Sequence, residues 1–262
     1  MNNKIFKIIA VGFFLQLNNI ANAALIYGSD ASNTSGGPIS VFNTETGTTQ
    51  ILANSLWNLG LAFDMSNNLF GINRNSLYSI NTSTGITTFI GNASYAFSES
   101  AAFDMSGRLL TAADGGLHAI DTNTGASTLL GAFNGHSSFD GLTVARQGIT
   151  TSAGFFAAGT LFAVDSGRLY TIDINTLNVT SLMSAPADET IAFGSDGTLY
   201  GNSSSSYWKL DLINGLHTNI GGGRHFGSAV LRPQVPVPSP TTISIFALGL
   251  VSLLASRKYK KQ

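Results

Sequence analysis

The chain has 262 residues, of which 44% are hydrophobic and 10% aromatic. That length and apolar content exclude a disordered chain and suffice for one sizeable core. With 13 basic against 14 acidic residues the formal net charge is −1, so no strongly basic domain exists to bind nucleic acid. The chain contains no cysteine, which excludes a disulfide framework, a thiolate metal site and a cysteine nucleophile.

The charges are unevenly distributed along the chain. Residues 1–23 carry two lysines and no acid, and residues 233–262 carry four basic residues and no acid. Residues 24–232 hold the other 7 basic residues and all 14 acidic residues, a net charge of −7. The sequence therefore consists of a mildly acidic body between two basic, apolar ends.

The N-terminal end has the three parts of a secretory signal. Lys4 and Lys7 precede an apolar run over residues 8–17, and small residues follow at Ala21-Asn22-Ala23. The apolar run is about half of the ~20 residues that a membrane-spanning helix needs, so a cleaved signal is favoured over a retained helix. We expect signal peptidase to remove residues 1–23 as the chain is exported across the inner membrane of a bacterium.

The C-terminal end also has three parts. A proline motif, a hydrophobic segment at 243–256 and a basic tail at 257–262 follow one another. The motif consists of Val235, Pro236, Val237, Pro238, Ser239 and Pro240, and the tail begins with Arg257 and Lys258. Alternate prolines cannot join a helix or a central strand, so residues 233–242 are predicted to form an extended spacer. For residues 243–256 we predict a hydrophobic helix in the membrane, with the basic tail on the cytoplasmic side.

This three-part order resembles the PEP-CTERM sorting signal of exported proteins in Gram-negative bacteria that make exopolysaccharide. The resemblance covers residues 235–262, and the family's central glutamate is replaced here by Val237. It implies transient anchoring in the inner membrane and cleavage near the proline motif by exosortase, a membrane protease. Release or transfer to the cell surface or extracellular matrix would follow. A simple C-terminal membrane anchor is the alternative.

Residues 24–232 contain a repeat, in which an alternating strand ends in Asn or Asp and runs into a Thr-rich turn. It occurs five times, with Asn43, Asn81, Asp121, Asp173 and Asp211 at the equivalent position. Such a residue starts a turn by bonding its own backbone, and a glycine at the end of the turn supplies a positive φ. A strand, a turn and another strand precede most copies, so the full unit has four strands in about 40 residues.

Four-stranded units of this length are blades of a β-propeller. We predict an all-β fold with five blades, at residues 24–53 with 226–232, 59–91, 97–131, 139–183 and 188–221. The first blade joins partial repeats from the two ends of the body and so closes the ring. A sixth, degenerate blade within an insertion at 148–159 is the alternative. The repeats resemble those of YVTN-type and quinoprotein-like propellers, although Leu129 replaces the closing tryptophan of the quinoprotein docking motif.

Loops that lead into the innermost strands surround the axial channel of a propeller. Here these loops carry the predicted binding residues Trp57, Asn58, Glu99, Asp140, Asp188, Glu189 and His225. Their carboxylates would gather at one mouth and suit a cation or a polyol, the alternative being a solvated acidic rim. Asp64 and Asp104 are interpreted as turn residues. The histidines lack metal-pair spacing and no nucleophile elbow or phosphate loop occurs, so no catalytic residue, metal or cofactor is assigned.

Two classes of function are compatible with these features. The sorting tail and the lack of catalytic motifs favour an exported, non-enzymatic propeller that binds a glycan, an extracellular-matrix component or a protein at the cell surface. The alternative is a propeller enzyme of the polysaccharide lyase, glycosidase or quinoprotein type that acts on extracellular polymers. A propeller hosts many unrelated activities, so the fold does not choose between them.

Overall fold

A computed structural model describes residues 24–29, 37–54, 60–185, 190–203, 206–221 and 229–232. The described part of the chain is all-β and consists of five four-stranded antiparallel sheets and one two-stranded sheet. No helix within it is long and apolar enough to cross a membrane. The predicted signal peptide at 1–23, spacer at 233–242, hydrophobic helix at 243–256 and basic tail at 257–262 lie outside the described residues.

The strands follow the predicted repeat in chain order. The first three strands are β1 (Leu25–Ser29), β2 (Pro38–Asn43) and β3 (Thr48–Asn54). Blade 2 comprises β4 (Gly60–Phe63), β5 (Leu69–Asn73), β6 (Ser76–Ile80) and β7 (Thr87–Asn92). Blade 3 comprises β8 (Ala102–Phe103), β9 (Leu109–Ala113), β10 (Gly116–Ile120) and β11 (Ser127–Ala132). Then come β12 (Gly141–Val144), β13 (Ile149–Thr151), β14 (Gly154–Phe156), β15 (Leu161–Asp165), β16 (Arg168–Ile172) and β17 (Val179–Ser184). The last strands are β18 (Thr190–Phe193), β19 (Leu199–Ser203), β20 (Ser206–Leu210), β21 (His217–Gly221) and β22 (Ala229–Arg232).

The two ends of the body share one blade, as predicted. The last strand, β22, pairs antiparallel with β1 so that Arg232 lies opposite Leu25 and Ala229 opposite Gly28, and β2 and β3 complete blade 1. Blade 4 is formed by β12 and β15–β17, and blade 5 by β18–β21. The innermost strands β4, β8, β12, β18 and β22 contact one another in a closed circle. The prediction of five blades closed by strands from both ends is confirmed.

The insertion in blade 4 is a β-hairpin rather than a sixth blade. Its strands, β13 and β14, pair only with each other. Ile149 anchors the hairpin in the core between blades 4 and 5, and the backbone N–H of Ser152 donates to the carbonyl of Leu212 in blade 5 at 2.8 Å. Phe155, in the second strand of the hairpin, is 70% exposed.

The repeated turns form as the sequence predicts. The side-chain Oδ1 of Asn43, Asn81, Asp173 and Asp211 accepts the backbone N–H groups two and three residues further on, and that of Asp121 accepts the N–H two residues further on. Four of the turns end in a glycine of positive φ, and the fifth ends in Leu177 at φ 56°. Leu177 tolerates this unfavourable conformation because its side chain is buried, 7% exposed, between blades 3 and 4.

These turns also join the blades at the rim of the disc. Gly125, in the turn of blade 3, lies against the backbone of Gly91 in blade 2, and an added Cβ would be 2.5 Å from the Gly91 carbonyl carbon. Gly85 of blade 2 lies in the same way against Leu52 and Ala53 of blade 1. Each turn therefore rests on the outermost strand of the preceding blade.

The core is divided among the five interfaces between blades. Each interface holds one cluster of buried apolar side chains, for example Tyr27 with Leu61 between blades 1 and 2 and Leu110 with Leu142 between blades 3 and 4. At the closing interface Phe42 of blade 1 stacks on Tyr207 of blade 5 with ring centroids 4.7 Å apart. Every outermost strand also carries a β-bulge, whose extra residues are Leu52, Ile90, Leu130, Leu182 and Ile220.

Candidate functional site

The axial channel has two different mouths, which we call upper, where the innermost strands begin, and lower, where they end. Near the upper mouth the strands approach closely: an added Cβ at Gly60 would lie 2.5 Å from the Glu99 carbonyl oxygen, and one at Gly141 would lie 2.7 Å from the Cα of Thr190. Only glycine allows such a close approach of two backbones. The innermost strands are therefore tightly joined at their N-terminal ends.

Towards the lower mouth the channel contains a cavity of about 230 Å³. Its walls come from the innermost strands of blades 2 to 5 and are mostly apolar. They include Phe63, Phe103 and Phe193, whose rings pack on aromatic rings in the interfaces between blades. Polar groups lie at its rim because the chain continues past β12 through Arg146 and Gln147 before the hairpin begins, and past β18 through Ser195. The cavity therefore combines apolar walls with a few polar groups at its opening, which is the usual composition of a ligand site.

Arg146 crosses the lower mouth from blade 4 to blade 2. Its Nη2 donates to the carbonyl oxygen of Phe63 at 3.4 Å, and its Nη1 lies 2.6 Å from the sulfur of Met65. Blade 3 stands between these two blades, so the side chain spans the opening. Partial burial of the guanidinium lowers the pKa of Arg146 against the opposing attraction of Asp64, and the group still carries its charge near neutral pH.

Thr143 connects two walls of the cavity. It lies in β12, and its hydroxyl oxygen accepts the backbone N–H of Phe193 in β18 at 3.2 Å. This hydrogen bond joins blades 4 and 5 at the level of the cavity. The aromatic ring of Phe193 is in turn packed edge to face on Phe162, with centroids 5.0 Å apart. The hydrogen bond and the ring contact together hold the part of the wall that blades 4 and 5 form.

The acidic residues beside the lower mouth are turn residues, as predicted. Asp64 Oδ1 accepts the backbone N–H groups of Ser66 and Asn68, and its Oδ2 accepts the amide of Asn68. Asp104, the equivalent residue of blade 3, pairs with Arg108 at 2.7 Å. Partial burial raises the pKa of Asp104, but the hydrogen bonds that Ser106 and Arg108 donate outweigh it, so the net pKa is lowered. Both carboxylates are bound by hydrogen bonds within their own turns.

The predicted upper-mouth site falls only partly within the described residues. Glu99 lies three residues before β8 and Asp140 directly before β12, and both are half-buried. Trp57, Asn58, Asp188, Glu189 and His225 lie outside the described residues. In the described ranges no group of three or more histidine, aspartate or glutamate side chains is arranged to hold a metal ion. The role of the upper-mouth residues in binding stays a prediction.

A buried hydroxyl network near the start of blade 3 was not predicted. Ser98, Ser100 and Thr111 are at most 2% exposed, and Thr111 donates to the Ser100 carbonyl at 2.6 Å. Burial of Tyr95 beside Thr111 raises the pKa of its phenol, which stays neutral. The network satisfies polar groups in the interior and fixes the segment that carries Glu99.

Sequence reasoning also missed Arg146 and Gln147. It looked for binding residues at the upper mouth only, whereas the cavity lies at the lower one. The sequence does contain a signal, because Arg146 directly follows the mostly apolar segment Leu142–Ala145 and is one of only 7 basic residues in the body. Each innermost strand runs along the channel, so a charged residue just after it lies at one of the two channel mouths.

The closed ring of five four-stranded blades around an axial cavity defines the protein as a five-bladed β-propeller. No protein-family model matches the sequence, and no curated protein matches it. Solved structures do match the fold. One is a structural genomics protein of unknown function from Bacteroides thetaiotaomicron, with a TM-score of 0.50 and 12% identity over 78% of this chain and 59% of that chain.

A second similar structure is a chain of the nidogen/laminin complex. Its TM-score is 0.51 and its identity 14%, over 79% of this chain and 81% of that chain. This chain spans about three fifths of the length of the Bacteroides protein. At such low identities the likeness concerns the fold alone, so the functional argument depends on the cavity.

Proposed function

We propose that this protein is an exported, non-enzymatic β-propeller that binds a glycan through the cavity at its lower mouth. One observation carries the proposal: an apolar cavity of about 230 Å³ lies on the axis, and Arg146 and Gln147 line its rim. The apolar walls would contact the C–H groups of a sugar, and guanidinium and amide groups donate hydrogen bonds to sugar hydroxyl groups. These groups bind and orient a ligand.

The size of the cavity limits what enters it. Pockets for drug-sized ligands have volumes of about 300–1,000 Å³, and this one is smaller. A single sugar ring or the end of a chain fits this space better than an internal stretch of polymer. The module would therefore hold a glycan by a terminal or branching residue.

The proposal includes the route by which the protein meets its ligand. The N-terminal signal would direct export, and signal peptidase would remove it. The PEP-CTERM-like segment would anchor the chain transiently in the inner membrane of a Gram-negative bacterium until exosortase transfers or releases it. The propeller would then lie at the cell surface or in the extracellular matrix, where exopolysaccharide is the abundant glycan.

Binding and the enzymatic alternative are distinguished by one experiment. Residues 24–232 contain the complete ring and are purified, and the exopolysaccharide of the producing bacterium is offered to them. Saturable retention without new reducing ends or unsaturated products supports the binding module. Product formation that is lost on Glu99→Gln, with folding intact, supports a propeller enzyme. Retention of a surface protein instead of the polysaccharide contradicts the glycan proposal.

The cavity is tested by a matched pair of variants. Gln147→Trp places a bulky ring at the lower mouth and should abolish retention. Gln50→Trp makes the same change on the exposed outermost strand of blade 1 and should leave retention unchanged. Equal behaviour of the two variants would place the binding surface elsewhere on the disc.

Sorting is tested separately in a host that has an exosortase. The mass of the surface fraction is compared between the full chain and a chain in which Pro236, Pro238 and Pro240 are replaced by alanine. We expect the natural chain to lose its C-terminal segment and the variant to stay in the inner membrane at full length after signal cleavage. Identical masses and identical fractionation would contradict the sorting proposal while leaving the binding proposal intact.

A further inference from the structure

Few acceptors among the described residues meet the N–H donors of Arg146. A guanidinium carries five N–H donors. Within the described residues, that of Arg146 makes a long contact to the Phe63 carbonyl and a contact to the Met65 sulfur, a weak acceptor. The ion pairs among the described residues are those of Arg108 with Asp104 and of His136 with Asp165. Within that part of the chain no carboxylate pairs with Arg146.

In the neighbouring blade 3, an arginine at this mouth has a carboxylate partner. In blade 3 Arg108 follows Asp104 by four residues and binds its carboxylate through Nε at 2.7 Å. In blade 2 the equivalent of Arg108 is Asn68, whose amide binds Asp64 at 2.8 Å. Asp64 is thereby held in its own turn, near Arg146 but not paired with it. Among the described residues, Arg146 at the rim of the cavity is therefore attracted by Asp64 but forms no ion pair.

The position of this cation relative to the apolar cavity indicates which kind of ligand group pairs with it. Phe63, whose carbonyl Arg146 contacts, also lines the cavity, so an anionic group at the mouth would reach the guanidinium while the rest of the sugar lies against the apolar walls. The planar fork of arginine matches a carboxylate in a bidentate manner. The partly desolvated site strengthens such a pair.

We infer that the lower-mouth cavity takes a carboxylate-bearing sugar, a uronic acid at the end or at a branch of an acidic glycan, and that Arg146 binds its carboxylate. The inference rests on the proposed glycan-binding function and names the class of sugar. Gln147, whose amide reaches over Gly197 of blade 5 on the other side of the mouth, is placed to bond a ring hydroxyl. The neutral sugars of the same polymer would bind outside the cavity.

The test compares how tightly glucuronate and glucose bind to the natural protein and to variants at Arg146. Glucuronate and glucose differ only in the carboxylate, and their binding to residues 24–232, which form the closed ring, is measured by NMR titration at millimolar concentrations. The natural protein should bind glucuronate at least about tenfold more tightly than glucose, because charge-assisted hydrogen bonds are worth that much or more. Arg146→Gln should lose roughly ten- to a hundredfold in affinity for glucuronate, and Arg146→Lys should keep part of it.

Arg168→Gln is the control for the change of charge. Arg168 lies in the same blade at the opposite end of the disc, where its guanidinium donates to Ser181 at 2.9 Å. This variant should bind glucuronate as the natural protein does. Unchanged circular dichroism and thermal midpoints show that each variant is folded.

The outcomes separate the two proposals. Equal binding of glucose and glucuronate, or an Arg146→Gln variant with unchanged affinity, overturns the uronic-acid inference and leaves glycan binding standing. Failure of glucuronate to bind also overturns it. If benzoate binds in an Arg146-dependent manner and neither sugar does, both the uronic-acid inference and the proposed glycan function are overturned.

Discussion

The contact between Gly125 and Gly91 offers a direct test of how neighbouring blades are joined at the rim. We consider Gly125→Ala. The residue has φ +74°, and the new Cβ would lie 2.5 Å from the carbonyl carbon of Gly91 and 2.8 Å from its Cα. Both atoms are backbone, so the strain is relieved only if blades 2 and 3 move apart.

The expected loss has two parts. A left-handed conformation costs a residue with a Cβ about 1–2 kcal/mol, and an overpacked contact typically costs about 1–3 kcal/mol. The free energy of unfolding should therefore fall by roughly 2–5 kcal/mol. For a domain of this size, each kcal/mol lost from the free energy of unfolding lowers the thermal midpoint by about 2–4 °C. The midpoint should therefore fall by roughly 4–20 °C.

Gly115→Ala measures the first part alone, so its difference from Gly125→Ala gives the second. Gly115 lies in the same blade at φ +77°, and an added Cβ there meets nothing within 4 Å, so only the conformational cost of about 1–2 kcal/mol applies. Urea unfolding of both variants, followed by circular dichroism, gives the two free energies. If Gly125→Ala costs no more than Gly115→Ala, the rim contact does not couple the blades and the reasoning is refuted.

Three further predictions concern the closing strand, a strained turn and acid stability. A chain without residues 222–262 lacks β22 and should lose cooperative unfolding in urea, whereas a chain without 233–262 should keep it; equal transitions would contradict closure by β22. Leu177→Gly relieves about 1–2 kcal/mol of left-handed strain but removes a buried side chain, which costs about 2–5 kcal/mol, so calorimetry should show a net loss; a gain would contradict the packing role. Because the pKa of Asp104 is lowered on folding, its contribution to stability is present above its unfolded pKa of about 3.9 and is lost as the pH falls through the folded value. Asp104→Asn should therefore be less stable near neutral pH and flatter in stability below pH ~4, as urea midpoints at several pH values would show; parallel profiles would contradict the assignment.

The fold could be predicted because its determinants are local and repeated. Asn81 and Gly85 specify their turn through one side-chain acceptor and one positive φ, and the same chemistry recurs in every blade. Closure was predictable for a different reason: strands β1 to β3 lack a partner that the residues of β22 supply. Both signals lie within short stretches of sequence.

The bulges and the cavity could not be predicted in this way. The extra residue Ile90 looks like any strand residue, and its bulge is decided by packing against the next blade. Likewise, the contact of Arg146 with Phe63 joins residues 83 positions apart across the channel. Such a contact depends on how many blades close the ring and on the path of the chain after β12, neither of which is encoded near Arg146.

The pairing of Leu25 with Arg232 determines how the protein can be attached to anything else. Through this pairing both ends of the ring leave the disc at the lower mouth, on the same face as the cavity. A bead, a fusion partner or a cell envelope linked through either terminus would thus stand in front of the opening. A polymer would have to reach it from the side, and its access would depend on the length of the linker. Binding measurements are therefore best made in solution, or with the protein immobilised through an exposed residue on the opposite face.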